Sequence, residues 1–245
     1  MNKFFPVFFI CLYSLFTKAQ TLPEMISVEG DTFMMGDIFK EGLSNETPHK
    51  VMVSDFKIAK TETTVAQWKV YCKSQKTSMP KEPRWGWIDN FPITGISWID
   101  AMGYCNWLST TTGKTYRLPT EAEWEFAARG GKSGHAYKYS GSPNLIDVAW
   151  YRESSKGKIH PVAKKNANEL GLFDMSGNAW EWCSDWYGLF DLKTISNPQG
   201  RKEGRERVSK GCDYNNDSAS CRLSHRVPLA PEIKHDGHGF RVVCN

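Results

Sequence analysis

Six cysteines follow residue 20, at positions 72, 105, 183, 212, 221 and 244, so thiolate or disulfide chemistry is the first possibility this sequence raises. Carboxylate chemistry is the second. In the run Asp174-Met175-Ser176-Gly177-Asn178-Ala179-Trp180-Glu181-Trp182, an extended backbone sends Trp180, Glu181 and Trp182 to alternate sides and holds Glu181 close to two large rings. A carboxylate buried there needs a cation or several donors, or else it takes up a proton. Asp174 and Glu181, with backbone carbonyls of the Gly-containing turn between them, offer the hard oxygens that calcium takes. An arginine such as Arg117, Arg226 or Arg241 would satisfy Glu181 equally well.

Other chemistry-bearing groups read as structure. Asp213-Tyr214-Asn215-Asn216-Asp217 imitates the first half of a calcium loop, but Ser218 replaces the required Gly and Ser224 the bidentate Glu, leaving a turn. His235 and His238 flank Asp236-Gly237, which predicts a turn and not a helix presenting both imidazoles to one metal. No G-x-S-x-G elbow or Walker loop is present.

Three helices must position these groups. Thr64-Val65-Ala66-Gln67, Ser97-Trp98-Ile99-Asp100 and Thr120-Glu121-Ala122-Glu123 each carry the pattern of a capping box. Helical stripes follow: Val65, Trp68 and Cys72; Trp98, Ala101, Cys105 and Leu108; and Trp124, Ala127 and Ala128, the last ending at Gly130-Gly131. Val51, Val53, Phe56 and Ile58 alternate as a strand turning at Ser54-Asp55, and a final strand spans 239–244. Beyond residue 131 the chain predicts short strands and long ordered loops. Helices in the middle with strands at both ends indicate a single α+β domain whose termini pair in one sheet.

Composition narrows the function classes. Of 245 residues, 40% are hydrophobic and 24% charged, with 31 Lys+Arg, 27 Asp+Glu, ten Trp and twenty Gly, a globular composition with many turns. Lys3 followed by the apolar run 4–16 and Thr17-Lys18-Ala19 reads as a cleavable signal peptide over residues 1–19, too short for a membrane span. Its removal takes away Lys3 and Lys18, leaving 29 basic against 27 acidic residues over 20–245. That mature part has no basic run expected of a nucleic-acid binder and no further apolar stretch long enough to span a membrane. An exported chain, periplasmic or secreted, with an even number of cysteines invites disulfides.

The ordered motifs Gly30-Asp31-Thr32-Phe33-Met34-Met35-Gly36, Glu46-Thr47-Pro48-His49, Glu62-Thr63-Thr64, Arg117 to Gly130, Gly171 to Trp182 and Gly239-Phe240-Arg241 resemble the formylglycine-generating, sulfatase-modifying-factor family over about residues 25–244. The resemblance implies a C-type-lectin-like α+β domain, low in regular secondary structure, with a calcium site at Asp174, Gly177, Ala179 and Glu181, the middle two by backbone oxygen. It also implies a second calcium site near Asn144 and Asp147, residues that read equally as a turn, and a disulfide between the elements carrying Cys105 and Cys244. Cys183 with Cys221, and Cys72 or Cys212 unpaired, remain alternatives.

The family's oxidases hold copper(I) on a C-x4-C thiolate pair preceded by Gly-Gly-Ser. This chain departs there: Lys210-Gly211-Cys212-Asp213 is followed by C-x8-C, Cys212 to Cys221. Those two cysteines can meet as a disulfide or as a rearranged copper pair acting on a sulfatase cysteine. The expected function is an exported, calcium-stabilised, non-oxidase binding or accessory protein. Its loop aromatics Trp85, Trp87, Trp150, Tyr151 and Tyr187 would hold a glycan or protein; the copper oxidase is the alternative.

Overall fold

A computed structural model describes residues 22–193 and 196–245; the signal-peptide expectation lies outside them. Three helices form where the capping boxes place them: α1 (Val65–Gln75), α2 (Trp98–Thr112) and α3 (Glu121–Ala128). In each, the Thr or Ser at the N-cap accepts a backbone N–H and the Gln, Asp or Glu three residues on bonds back to the cap, satisfying two donors that a helix start otherwise leaves free. A one-turn helix α4 (Leu145–Val148) also forms, beyond the last helical stripe readable in the sequence, because one turn is too short to show a period.

The strands are β1 (Met25–Val28), β2 (Thr32–Met35), β3 (His49–Met52), β4 (Phe56–Ala59), β5 (Tyr116–Arg117), β6 (Trp180–Trp186), β7 (Arg207–Lys210), β8 (Val227–Leu229), β9 (His238–Gly239) and β10 (Val243–Cys244). They build three small sheets, ordered β1-β4-β10-β5, β2-β3 and β8-β7-β6-β9. The termini do share a sheet: Ile58 of β4 faces Ile26 on one side and Val243 on the other. The expected strands 51–58 and 239–244 are each divided between two sheets. Between β9 and β10 the chain leaves one sheet for another while Arg241 points into fully buried space, and Ser54-Asp55 makes the equivalent turn between β3 and β4.

Large rings fill the space that long strands would occupy elsewhere. Trp68 of α1 stacks on Tyr104 of α2 at 5.6 Å between centroids, and both meet Phe240 edge-on, arrangements that add to the energy of apolar burial. Helix α3 is enclosed on every side, with all eight residues buried, including Glu121, Glu123 and Glu125. Its placement therefore depends on ion pairs as well as packing. Glu123 accepts from the Thr120 N–H at 2.8 Å and from Arg117 at 2.6 and 2.7 Å, while the Thr120 hydroxyl accepts from the Glu123 N–H at 3.1 Å. Thr120→Ala is expected to lower stability by about 1 kcal/mol; a urea denaturation midpoint unchanged from the parent would show that the cap contributes nothing.

Candidate functional site

Gly211 follows β7 at φ +96° with a Trp124 ring atom 3.1 Å from where a Cβ would stand. The chain then turns through Cys212 into the segment that decides the thiol chemistry. Cys212 and Cys221 are joined in a disulfide, with Cα atoms 4.9 Å apart, both buried with Trp180, Leu145 and Ala149. In this bond neither sulfur is a thiolate, so the pair does not present the soft ligands a copper(I) centre requires. The expectation of a Cys105–Cys244 disulfide is corrected, since both are free thiols in one apolar cluster, where they pack as small hydrophobic side chains. Burial pushes the Cys105 thiol up to about 12 and raises those of Cys72, Cys183 and Cys244, leaving all four protonated at neutral pH.

The carboxylates of the Asp174–Glu181 run divide into two kinds. Glu181, on β6, is fully buried and already satisfied: Arg241 forks onto it with two bonds of 2.7 Å, and Trp124 Nε1 donates at 2.7 Å. The same guanidinium donates to the carbonyls of Ala59 and Phe173, tying β4, β6 and the loop before it to one cation, while α3 joins through Trp124 at the shared carboxylate. With Glu181 so committed, the set Asp174, Gly177, Ala179 and Glu181 does not fit calcium as expected, and the arginine alternative describes Glu181. Gly177 has its own explanation: at φ +86°, a Cβ would stand 2.6 Å from the Trp150 carbonyl oxygen, so only glycine fits the turn.

Asp174 is different. Its Oδ2 accepts from the Ala163 N–H at 2.7 Å, but its Oδ1 is buried without a partner. Glu62, from the loop before α1, interacts with it; Glu62 Oε1 accepts from Asn178 Nδ2 at 3.0 Å while Oε2 is likewise unpartnered. Burial, then each other's charge and that of Glu181, hold the Glu62 carboxyl well above its ordinary range, and burial raises Asp174 to about 6. Two buried carboxylates in contact either share a proton or hold a cation. Among the described residues, no three His, Cys, Asp or Glu side chains converge as a metal site. Asn144 and Asp147 form the turn into α4: the Asp147 N–H donates to the Asn144 carbonyl at 3.2 Å, and its carboxylate accepts from Ser142.

The rim aromatics are less open than expected. Tyr151 is buried. Trp150 stacks on His160 at 3.8 Å and carries the Lys165 ammonium 4.3 Å from its centre, so its ring is already in contact with two side chains. Trp85 meets the edge of Tyr214 at 5.4 Å, with the Arg84 guanidinium over its ring. Trp85 and Trp87 are half-buried against the main cluster. Tyr187 receives the Asn45 amide on its hydroxyl and the Arg226 guanidinium over its ring.

A family model for the sulfatase-modifying factor enzyme 1-like domain matches residues 13–245. The chain belongs to this family. It is 30% identical to the protein named chaperone protein LppX of Paenibacillus barcinonensis, over 85% of this chain and 86% of that one. It is 29% identical to the formylglycine-generating enzyme of Streptomyces coelicolor, over 88% and 87%. It is also 37% identical to the inactive C-alpha-formylglycine-generating enzyme 2 of Bos taurus, over 56% of this chain and 49% of that protein. Among solved structures, Treponema denticola variable protein 1 superposes with a TM-score of 0.78 at 27% identity, covering 90% of this chain and 94% of its own. Relatives named as active and as inactive thus lie at comparable distances, and the chemistry must be read from the residues.

One group went unnoticed in the sequence because its partners lie far apart in the chain. Glu121 and Glu125 of α3 meet Arg226 and Lys210: Arg226 forks onto Glu121 at 2.5 and 2.7 Å, and the fully buried Lys210 ammonium stands 3.0 Å from Glu125. Burial works against the Glu125 charge, but Lys210 and Arg129 hold its carboxyl down at about 2. Beside this network a cavity of about 380 Å3 is lined by Glu121, Asp185, Arg226, His49, Leu189 and Phe190 among others. Asp185 accepts from the Glu121 N–H at 2.9 Å and the Ser184 hydroxyl at 3.0 Å, yet burial and the Glu121 charge push it up to about 7.

A carboxyl raised in the folded state stabilises the fold most below its unfolded value near 4, and that contribution fades as pH rises through about 7. Asp185→Asn, always neutral, should therefore gain stability over the parent as pH rises from about 4 to 8, by up to a few kcal/mol. A difference between the two melting curves that stays constant across that range would show Asp185 to be ionised throughout.

Proposed function

We propose that this chain is a non-oxidase member of its family, an exported binding or accessory protein whose long loops hold a protein or glycan ligand. The Cys212–Cys221 bond carries the reading, because it occupies the sulfurs that a copper-thiolate oxidase would need and replaces C-x4-C with a longer loop. The leader-like residues 1–19 and the presence of a disulfide agree with an oxidising compartment. Among the described residues no helix is long and apolar enough to cross a membrane. The lectin-like description of the fold belongs to this same reading. Thiol titration is expected to find four reactive cysteines of the mature six after unfolding and none of Cys212 or Cys221 until reduction. Finding both as thiols that bind copper(I) at 1:1 and support oxidation of a sulfatase cysteine peptide would restore the oxidase alternative.

Calcium enters this proposal at a relocated place. Its ligands would be Asp174 and Glu62, whose Oδ1 and Oε2 are the buried oxygens left without partners, and not Glu181. There it would supply only charge neutralisation and stability. Chelation at neutral pH should then lower the melting temperature, since a ligand bound only by the native state raises apparent stability. The opposing result is a melting temperature indifferent to chelator, with stability falling as pH rises from about 4 through 6. That outcome assigns the pair a shared proton, because raised carboxyls stabilise at low pH and lose the contribution as pH climbs through the folded value.

A further inference from the structure

The cavity of about 380 Å3 beside α3 has the size of a small-molecule site, about 300–1,000 Å3. Its floor is polar, but the donors there are spent. Arg226 is committed on each of its three nitrogens: Nε and Nη2 to Glu121, Nη1 to the carbonyls of Gly188 and Asn45. His49 Nδ1 stands 2.9 Å from the Thr47 carbonyl, which only accepts, so the neutral ring carries its proton on Nδ1 and keeps a lone pair on Nε2. Asp185 is 3% exposed; its Oδ2 takes the Glu121 N–H and the Ser184 hydroxyl, while among the described residues nothing donates to Oδ1. A glycine keeps that oxygen uncovered. On Gly200, itself part of the lining, a Cβ would stand 2.7 Å from the Asp185 Cβ and 3.0 Å from Oδ1.

What the floor offers a ligand is therefore an acceptor at Asp185, with His49 as a second, and the ligand end that fits is a donor. Charge separates an ammonium from a hydroxyl. Burial and then the Glu121 charge keep the Asp185 carboxyl up at about 7, and the nearby Arg226 does not offset them. A cation seated beside the carboxylate removes that deficit, whereas a neutral hydroxyl leaves it in place.

The rest of the lining selects the body of the ligand. An inorganic cation finds too few partners, since both Glu121 oxygens are taken by Arg226 and no three ligating side chains converge among the described residues. Met35, Ala122, Leu189, Phe190 and Pro198 make apolar walls suited to an aliphatic stem. At the mouth Arg201 and Lys202 stand exposed beside Asp191, an excess of positive charge that disfavours a second cation on the ligand and favours a carboxylate. Arg201 is placed there by Gly188, where a Cβ would stand 2.3 Å from its Cδ and 3.1 Å from its Nη1.

We propose that this cavity binds a primary ammonium group on an aliphatic stem, seated on Asp185, with the far end of the ligand neutral or anionic. A free aminocarboxylate and a lysine side chain in an acidic stretch of a partner protein present this same chemistry. Such a site goes beyond the binding reading above, which names no group on its ligand, and is independent of the thiol state of Cys212 and Cys221.

Calorimetric titration of the full protein tests it, with hexylamine, 6-aminohexanoate, 1,6-diaminohexane, hexanol and hexanoate as small probes. Two further probes are an acidic peptide with a blocked N-terminus and one internal lysine, and the same peptide with that lysine acetylated. The expected result is binding of 6-aminohexanoate and hexylamine, weaker binding of the diamine, and none of hexanol or hexanoate. Binding of the lysine peptide but not its acetylated form assigns the site to a partner's side chain; binding of the small amines without the peptide assigns it to a free amine. Asp185→Asn should weaken 6-aminohexanoate about tenfold, the loss of one charged hydrogen bond. Arg201→Glu, at an exposed position, should weaken 6-aminohexanoate and strengthen the diamine, with the melting temperature unchanged. The proposal is overturned if no amine binds, if hexanol or hexanoate binds as tightly as the amines, or if the diamine binds best. It is equally overturned by amine binding indifferent to Asp185→Asn or, should that variant not fold, to Arg201→Glu. Thiol titration reads Cys212 and Cys221 separately, so such a failure leaves the non-oxidase reading standing.

Discussion

The buried pair Glu181–Arg241 is the constraint on which the remaining architecture rests. Both side chains are fully buried, and the guanidinium is shared among a carboxylate on β6, carbonyls at the end of β4 and the loop before Asp174. A charge in such a place is tolerated only while its partner and its remaining donors are satisfied; removal of one member leaves the other uncompensated, at about 3–5 kcal/mol. Arg241 lies between β9 and β10, so the pair also fixes where the last segment leaves one sheet and joins another. Two further ionic groups repeat the pattern. Arg222 bridges Glu46 near Asp37, and Lys210 with Arg226 bridges α3. In a chain of short strands, these directional contacts supply orientation that an extended hydrogen-bond ladder would otherwise provide.

Local signals were legible and distant ones were not. The capping boxes at Thr64, Ser97 and Thr120 are complete within four residues each, so the sequence places all three helices. The Glu181 carboxylate could be recognised as needing a partner, and Arg241 stood among its candidates, but choosing among three arginines requires knowing which strand ends lie side by side. Glu62 shows the limit more sharply. Nothing near it in sequence announces burial, and its contacts, Asp174 and Asn178, are more than a hundred residues away. The cysteines divide likewise: nine residues of separation made Cys212–Cys221 a plausible closure, whereas the pairing of Cys105 with Cys244 came from family likeness and is not what the packing of this chain adopts.

The aromatic residues changed meaning most. Exposed rings near turns suggest a sticky rim, but Trp150, Trp85 and Tyr187 are already in contact with His160 and Lys165, Tyr214 and Arg84, and Arg226. They act as spacers that hold cations at set positions. Family membership supplies the scaffold, and the chemistry has to be read from this chain's own residues, the closed Cys212–Cys221 pair first among them.

The placement of β10 bears on how the chain reaches this structure. The strand that fills the gap between β4 and β5 follows both in the chain, and it pairs with segments that lie far before it. The sheet therefore stays open until β10 is available, and neither half can lock into its native arrangement before then. Closing this sheet is therefore a non-local event, and the step that seats β10 between β4 and β5 is expected to be slow compared with formation of the three capped helices.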